Sequence, residues 1–188
     1  MSIFEYISVT IAIVLGLAIA RLLTAFGELI IHRKRVTFHW VPLTWAITLF
    51  LLIYVLWWQF FSVGAALDEW AFLDFLSAAV VTLPLYLASM LFLPRHFDTP
   101  EISLYDNFIR NGKWGVGAYL VFFVLAVPVN ARLWDTPVIS MNTLQILIAI
   151  GTLLGVILSR SAGGIAMWTC GFVVIQLISF FYVIFPAY

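Results

Sequence analysis

The sequence predicts an all-α fold, a polytopic membrane bundle of six transmembrane helices, and three observations carry that prediction. The chain has 188 residues, of which 64% are hydrophobic and only 10% charged, too much apolar surface for one soluble core to hide. Its apolar residues fall in six runs, each near the roughly 20 residues that span a bilayer. Most charges fall in the short connections, and the basic residues of those connections all lie on one side, as the positive-inside rule describes.

The runs are residues 3–31, 40–63, 71–93, 114–133, 139–159 and 165–188, and together they predict one six-helix domain over 1–188. The first lacks a basic region before it and a small-residue cleavage site behind it, so it reads as a retained helix. Arg33, Lys34, Arg35, Arg95, Arg110, Lys113 and Arg160 all fall in the 1–2, 3–4 and 5–6 connections, which places those connections in the cytoplasm and both termini outside. Asp68, Glu69 and Asp135 mark the opposite side. Tryptophans follow the same division as interfacial belts: Trp40, Trp45, Trp114 and Trp168 at the cytoplasmic level, Trp57, Trp58, Trp70 and Trp134 at the outer one. The expected location is a cell membrane, specifically a bacterial inner membrane.

Only the stretch 94–113 is long enough for structure of its own. Thr99 as cap, Pro100 at the first helical position and Glu101 in the first turn open a short helix. Ile102, Tyr105, Phe108 and Ile109 continue it at helical spacing, and Gly112 ends it. The reading is an amphipathic helix on the cytoplasmic interface.

Small residues recur every fourth position in helix 1, at Ser8, Ala12, Gly16, Ala20 and Thr24, and helix 5 repeats the device with Gly151 and Gly155. In lipid such lines let a second backbone approach closely. Gly16, Ala20, Gly151 and Gly155 are therefore the expected packing seams, and self-association through helices 1 and 5 is the expected partnership beside the bilayer itself. Arg21 and Glu28 lie on another face of helix 1. That helix is about 43 Å long against a hydrocarbon core of about 30 Å. Arg21 sits deep enough to need a partner, and Glu28, two turns on, is the candidate.

The remaining polar residues concentrate in the outer leaflet: Glu5, Gln59, Asp74, Asn130, Arg132, Asn142 and Gln145. They are read as an outward-facing vestibule, with Arg132 paired to Asp74 or Glu5, above an apolar midplane that offers little beyond Tyr54, Thr82 and Gln176. Pro84 and Pro128 interrupt the ladders of helices 3 and 4 and free carbonyls that could coordinate ions. Structural glue among helices is the competing reading of the same residues.

Several classes are excluded or disfavoured. Zero formal net charge and the lack of a soluble domain argue against nucleic acid. His32, His39 and His96 sit at helix ends in no spacing that makes a metal site, and no helix-core histidine offers a haem ligand. Cys170 reads as a small buried hydrophobe. No catalytic motif is present, so neither an enzyme nor a cofactor is expected. The function that follows is a homo-oligomeric channel or transporter for a small ion or solute. The alternative is a non-catalytic accessory subunit docked on another membrane protein.

Overall fold

In the computed structural model, which describes residues 3–66, 71–95, 97, 101–133 and 140–184, the described chain is helical apart from short connections. Helices α1 (Ile3–Ile31), α2 (Trp40–Ala66), α3 (Phe72–Leu91), α4 (Leu104–Asn107), α5 (Lys113–Leu133), α6 (Met141–Leu158) and α7 (Ala162–Ile184) follow one another, with two-residue strands β1 (Val36–Thr37) and β2 (Ile102–Ser103). Six helical segments are long and apolar enough to cross a membrane. Asp68, Glu69, Trp70, His96, Thr99, Pro100, Trp134 and Asp135 lie outside the described residues.

The helices close a ring. α1 packs on α3, α3 on α5, α5 on α6, α6 on α7, α7 on α2, and α2 returns to α1. Each contact is built from a buried stripe at helical spacing. On α1 the stripe is Ile7, Ile11, Leu15, Ala18, Leu22, Ala25 and Leu29, and on α3 it is Ala78, Val81, Leu85 and Ala88. The small-residue line of α1 is not that stripe. Ala20 and Thr24 are exposed, and a Cβ added at Gly16 would meet nothing within 4 Å. The bulkier aliphatic line took the internal contact because dispersion grows with the number of touching atoms. Gly151 is equally open, whereas a Cβ at Gly155 would sit 2.3 Å from the Trp168 ring of α7. Of the expected seams, Gly155 is thus internal to the chain.

An aromatic cluster ties the ring together. Trp45 is fully buried, with ring centroids of Phe172 at 4.7 Å, Phe92 at 5.8 Å, Tyr119 at 6.2 Å and Phe108 at 6.5 Å. Its indole N–H donates to Thr169 Oγ1 at 3.1 Å. Trp45 therefore departs from the expected interfacial belt: it sits one turn inside α2 on the stripe that faces the other helices, so burial governs its placement. Trp40, Trp57, Trp58 and Trp114 are exposed, and Trp168 is half-buried over Gly155. Cys170 is also exposed, not buried.

The 1–2, 3–4 and 5–6 connections meet at one end of the bundle, the basic end. β1 pairs in parallel with β2, His32 stacks on Phe97 at 5.2 Å, and Lys113 Nζ donates to the Ser159 and Ile157 carbonyls at 2.6 and 3.4 Å. That cation closes the C-terminus of α6 from a neighbouring helix. The expected separate helix in 94–113 is corrected here. Ile102 and Ser103 are strand, Ser103 Oγ accepts from Asp106 N at 3.2 Å to cap α4, and the chain continues through a π turn, Phe108–Gly112, into α5. Gly112 does not end a helix. It leaves room for the Phe108 ring, whose Cδ2 would lie 2.3 Å from an added Cβ, and Phe108 is buried against Trp45.

Candidate functional site

Between α2, α5, α6 and α7, with Val81 of α3 also in the wall, lies a cavity of about 630 Å³ that is partly open to the outside of the bundle. Its walls are helical stripes. On α2 they run from Thr44 to Phe60, about 24 Å at 1.5 Å per residue. On α5 they run from Phe122 to Asn130, on α6 from Met141 to Ala149, and on α7 from Val173 to Phe180, each about 10–12 Å. The α2 wall is about twice as long as the other three, so the cavity continues past them as a furrow along α2.

Gln59, Asn130, Asn142 and Gln145 all line this space. They come from three helices and lie towards the end of the bundle opposite the basic connections. Gln145 Oε1 stands 3.5 Å from the Ser179 hydroxyl. Gln59, Asn130 and Asn142 make no hydrogen bond among the described residues. Asn142 is exposed and Gln59 and Asn130 are half-buried, so these amides keep free hydrogen-bonding capacity that water or a ligand can use. No charged side chain lines the cavity among the described residues.

Deeper in the cavity, Phe122 and Phe123 extend the aromatic cluster to the wall. The buried Tyr119 hydroxyl donates to the Thr48 carbonyl at 3.5 Å, and Gln176 stands in the cavity wall. Thr48 Oγ1 donates to the Trp45 carbonyl at 3.0 Å, so it leaves its methyl as the available surface. The expected apolar floor is therefore aromatic and aliphatic with one satisfied polar cluster set into it. Ser179 escaped the sequence reading; its signal was the spacing of three from Gln176, which puts both on one side of α7.

Glu5, Asp74 and Arg132 are not among the wall residues. Asp74 is buried near the start of α3, and both its oxygens are engaged: Oδ1 accepts from Arg132 Nε at 2.7 Å and Oδ2 from the Ala71 amide at 3.1 Å. The carboxylate thus caps α3 and ties it to the end of α5. Of the partners considered for Arg132, this geometry selects Asp74. Glu5 sits exposed in the first turn of α1. The vestibule candidates separate into amides inside the cavity and charges outside it.

The Arg21–Glu28 pairing is corrected. Arg21 Nη2 donates to the Pro94 carbonyl at 3.0 Å, beyond the end of α3, and Glu28 Oε2 lies 3.2 Å from His32 Nε2 one turn on. A seven-residue offset on one helix spans about 10 Å, whereas the neighbouring chain end brings a bare carbonyl within reach. His39 Nδ1 accepts from the Val41 amide at 3.3 Å and its ring lies 4.5 Å from Tyr105. α3 and α5 run on through Pro84 and Pro128. Neither proline, nor Val80 or Val124 whose carbonyls they free, lines the cavity.

Fold and site together define an all-helical chain with six candidate membrane spans, compatible with an integral membrane protein, and an amide-lined cavity within the bundle. Comparison with protein-family models, curated proteins and solved structures finds no match.

Proposed function

We propose that this chain is a small-solute transporter or channel of a bacterial inner membrane, and that its cavity takes an uncharged solute. The observation that carries the reading is the convergence of Gln59, Asn130, Asn142 and Gln145 on one cavity with no charged wall residue among those described. Amides supply donors and acceptors for neutral polar groups, while an ion leaving water would meet no opposite charge and few coordinating oxygens. The Asp74–Arg132 pair neutralises itself beside the cavity and serves as a fastening between α3 and α5. The positive-inside rule orients the basic end to the cytoplasm, so the amide end faces outward. Self-association through the open Gly16 and Ala20 line of α1 belongs to the same proposal, since close backbone approach is what such a line permits.

Proteoliposome uptake tests the reading. A panel of neutral solutes such as glycerol, urea and small sugars is compared with sodium and potassium. Uptake of a neutral solute that falls about tenfold in Asn130→Leu and Gln145→Leu, the loss of about one hydrogen bond to ligand, supports it. Cation flux abolished by Asp74→Asn would return the function to the charged pair. An accessory role would show as no flux together with a stoichiometric membrane partner.

A further inference from the structure

The cavity meets the outside of the bundle at the start of α6, where Met141 and Asn142 are both exposed and wall residues, and along two further helices. The exposed face of α2 carries Ile47, Leu51, Tyr54 and Trp58 at helical spacing, and that of α7 carries Val174, Leu177, Ile178 and Phe181. Ile47 and Leu51 on the first and Leu177 on the second are also cavity walls. A residue that belongs to both surfaces lies at the edge of an opening. α2 and α7 are fastened near the basic end by Trp45 and Thr169, so the opening lies beyond that bond, towards the amide end. It is a lateral slot edged by aliphatic side chains, at the level where lipid surrounds the protein.

Inside the slot the two chemistries are segregated. Gln59, Asn130 and Asn142, which make no hydrogen bond among the described residues, lie towards one end, and aliphatic residues with the back-bonded Thr48 line the furrow along α2. A polar solute would leave the furrow's apolar walls against water, and a plain hydrocarbon would leave the amides unpaired. We propose that the ligand is a single-chain amphiphile drawn sideways from the membrane, its alkyl chain in the α2 furrow and an uncharged, hydrogen-bonding head against Gln59, Asn130 and Asn142. The head is neutral because no wall residue among those described could pair a charge. This rests on the reading of the cavity as a binding site for an uncharged ligand and names the class of that ligand.

The test uses the full chain in phosphatidylcholine nanodiscs with a monoacylglycerol carrying a diazirine at the end of its acyl chain, and peptides are mapped after irradiation. Saturable labelling of α2 between residues 44 and 56 is expected. Unlabelled monoacylglycerol should compete it away, and a fatty acid of equal chain length should compete about tenfold more weakly, as one charged group without a partner implies. Leu51→Trp, at an exposed position that tolerates bulk, should block the slot and abolish labelling. Asn130→Leu should weaken competition by a similar factor while leaving thermal melting unchanged. Unsaturable labelling spread over α1 positions such as Ile13 and Leu17, or equal competition by the fatty acid, would overturn the proposal. Uptake of glycerol or urea without monoacylglycerol labelling would overturn it too, yet leave the small-solute reading standing. Failure of both measurements would remove both.

Discussion

The indole of Trp45 donates to Thr169 Oγ1 at the centre of an aromatic cluster, where no solvent can replace a lost partner. Trp45→Phe keeps most of the ring packing but strands the Thr169 hydroxyl, at a cost of about 1–3 kcal/mol. Thr169→Val removes the acceptor and strands the indole instead. Each variant is expected to lower the melting temperature in detergent, and the double variant should lose less than the sum, because the two side chains fail as a pair. Asp74 shows the opposite balance. Asp74→Asn retains an oxygen for the Ala71 amide and loses only the charge partner of an exposed guanidinium, so a small fall in melting temperature is expected with neutral-solute uptake unchanged. A large loss of uptake with intact assembly would bring Asp74 into the pathway.

At the level of helices, the fate of each small residue depends on what faces it. Gly155 lies under the Trp168 ring, and Gly155→Ala is expected to destabilise by about 1–3 kcal/mol through overpacking. Gly16→Ala and Gly151→Ala meet open space in the chain, so neither should lower the melting temperature through a clash within the chain. If helix 1 self-associates, Gly16→Leu should shift the protein to monomers in native mass spectrometry without altering its circular dichroism. An unchanged oligomer would leave that line facing lipid. Gly112 belongs with Gly155: its Cβ position is filled by Phe108, and Gly112→Ala should disturb the π turn that leads into α5.

For the molecule as a whole, the gathering of β1, β2, Lys113 and His32 at the basic end makes that end a set of cross-links, while the amides of the cavity lie towards the opposite end. This asymmetry suits a bundle anchored at one end and accessible at the other. Its orientation is checked with Cys170→Ser as background, since that thiol is exposed. A cysteine at Arg33 or Arg110 should react with an impermeant maleimide only in inside-out vesicles, and one at Asn142 only in cells or right-side-out vesicles. The reverse pattern would turn the cavity to the cytoplasm.

Helix number and approximate bounds were legible in the sequence because each span is a local property: apolar length against bilayer thickness needs no knowledge of neighbours. The concentration of Gln59, Asn130, Asn142 and Gln145 at one depth was legible for the same reason, as helix direction alternates and rise per residue is fixed. Rotation of each helix about its axis was not. That single variable put the amides into a cavity and Asp74 beside it, sent Arg21 to the Pro94 carbonyl and away from Glu28, and turned Trp45 inward. It could not be read from one strand of sequence, because in an apolar setting nearly every face of a helix is acceptable to lipid. The choice among faces is made by packing and hydrogen bonds between helices distant in the chain.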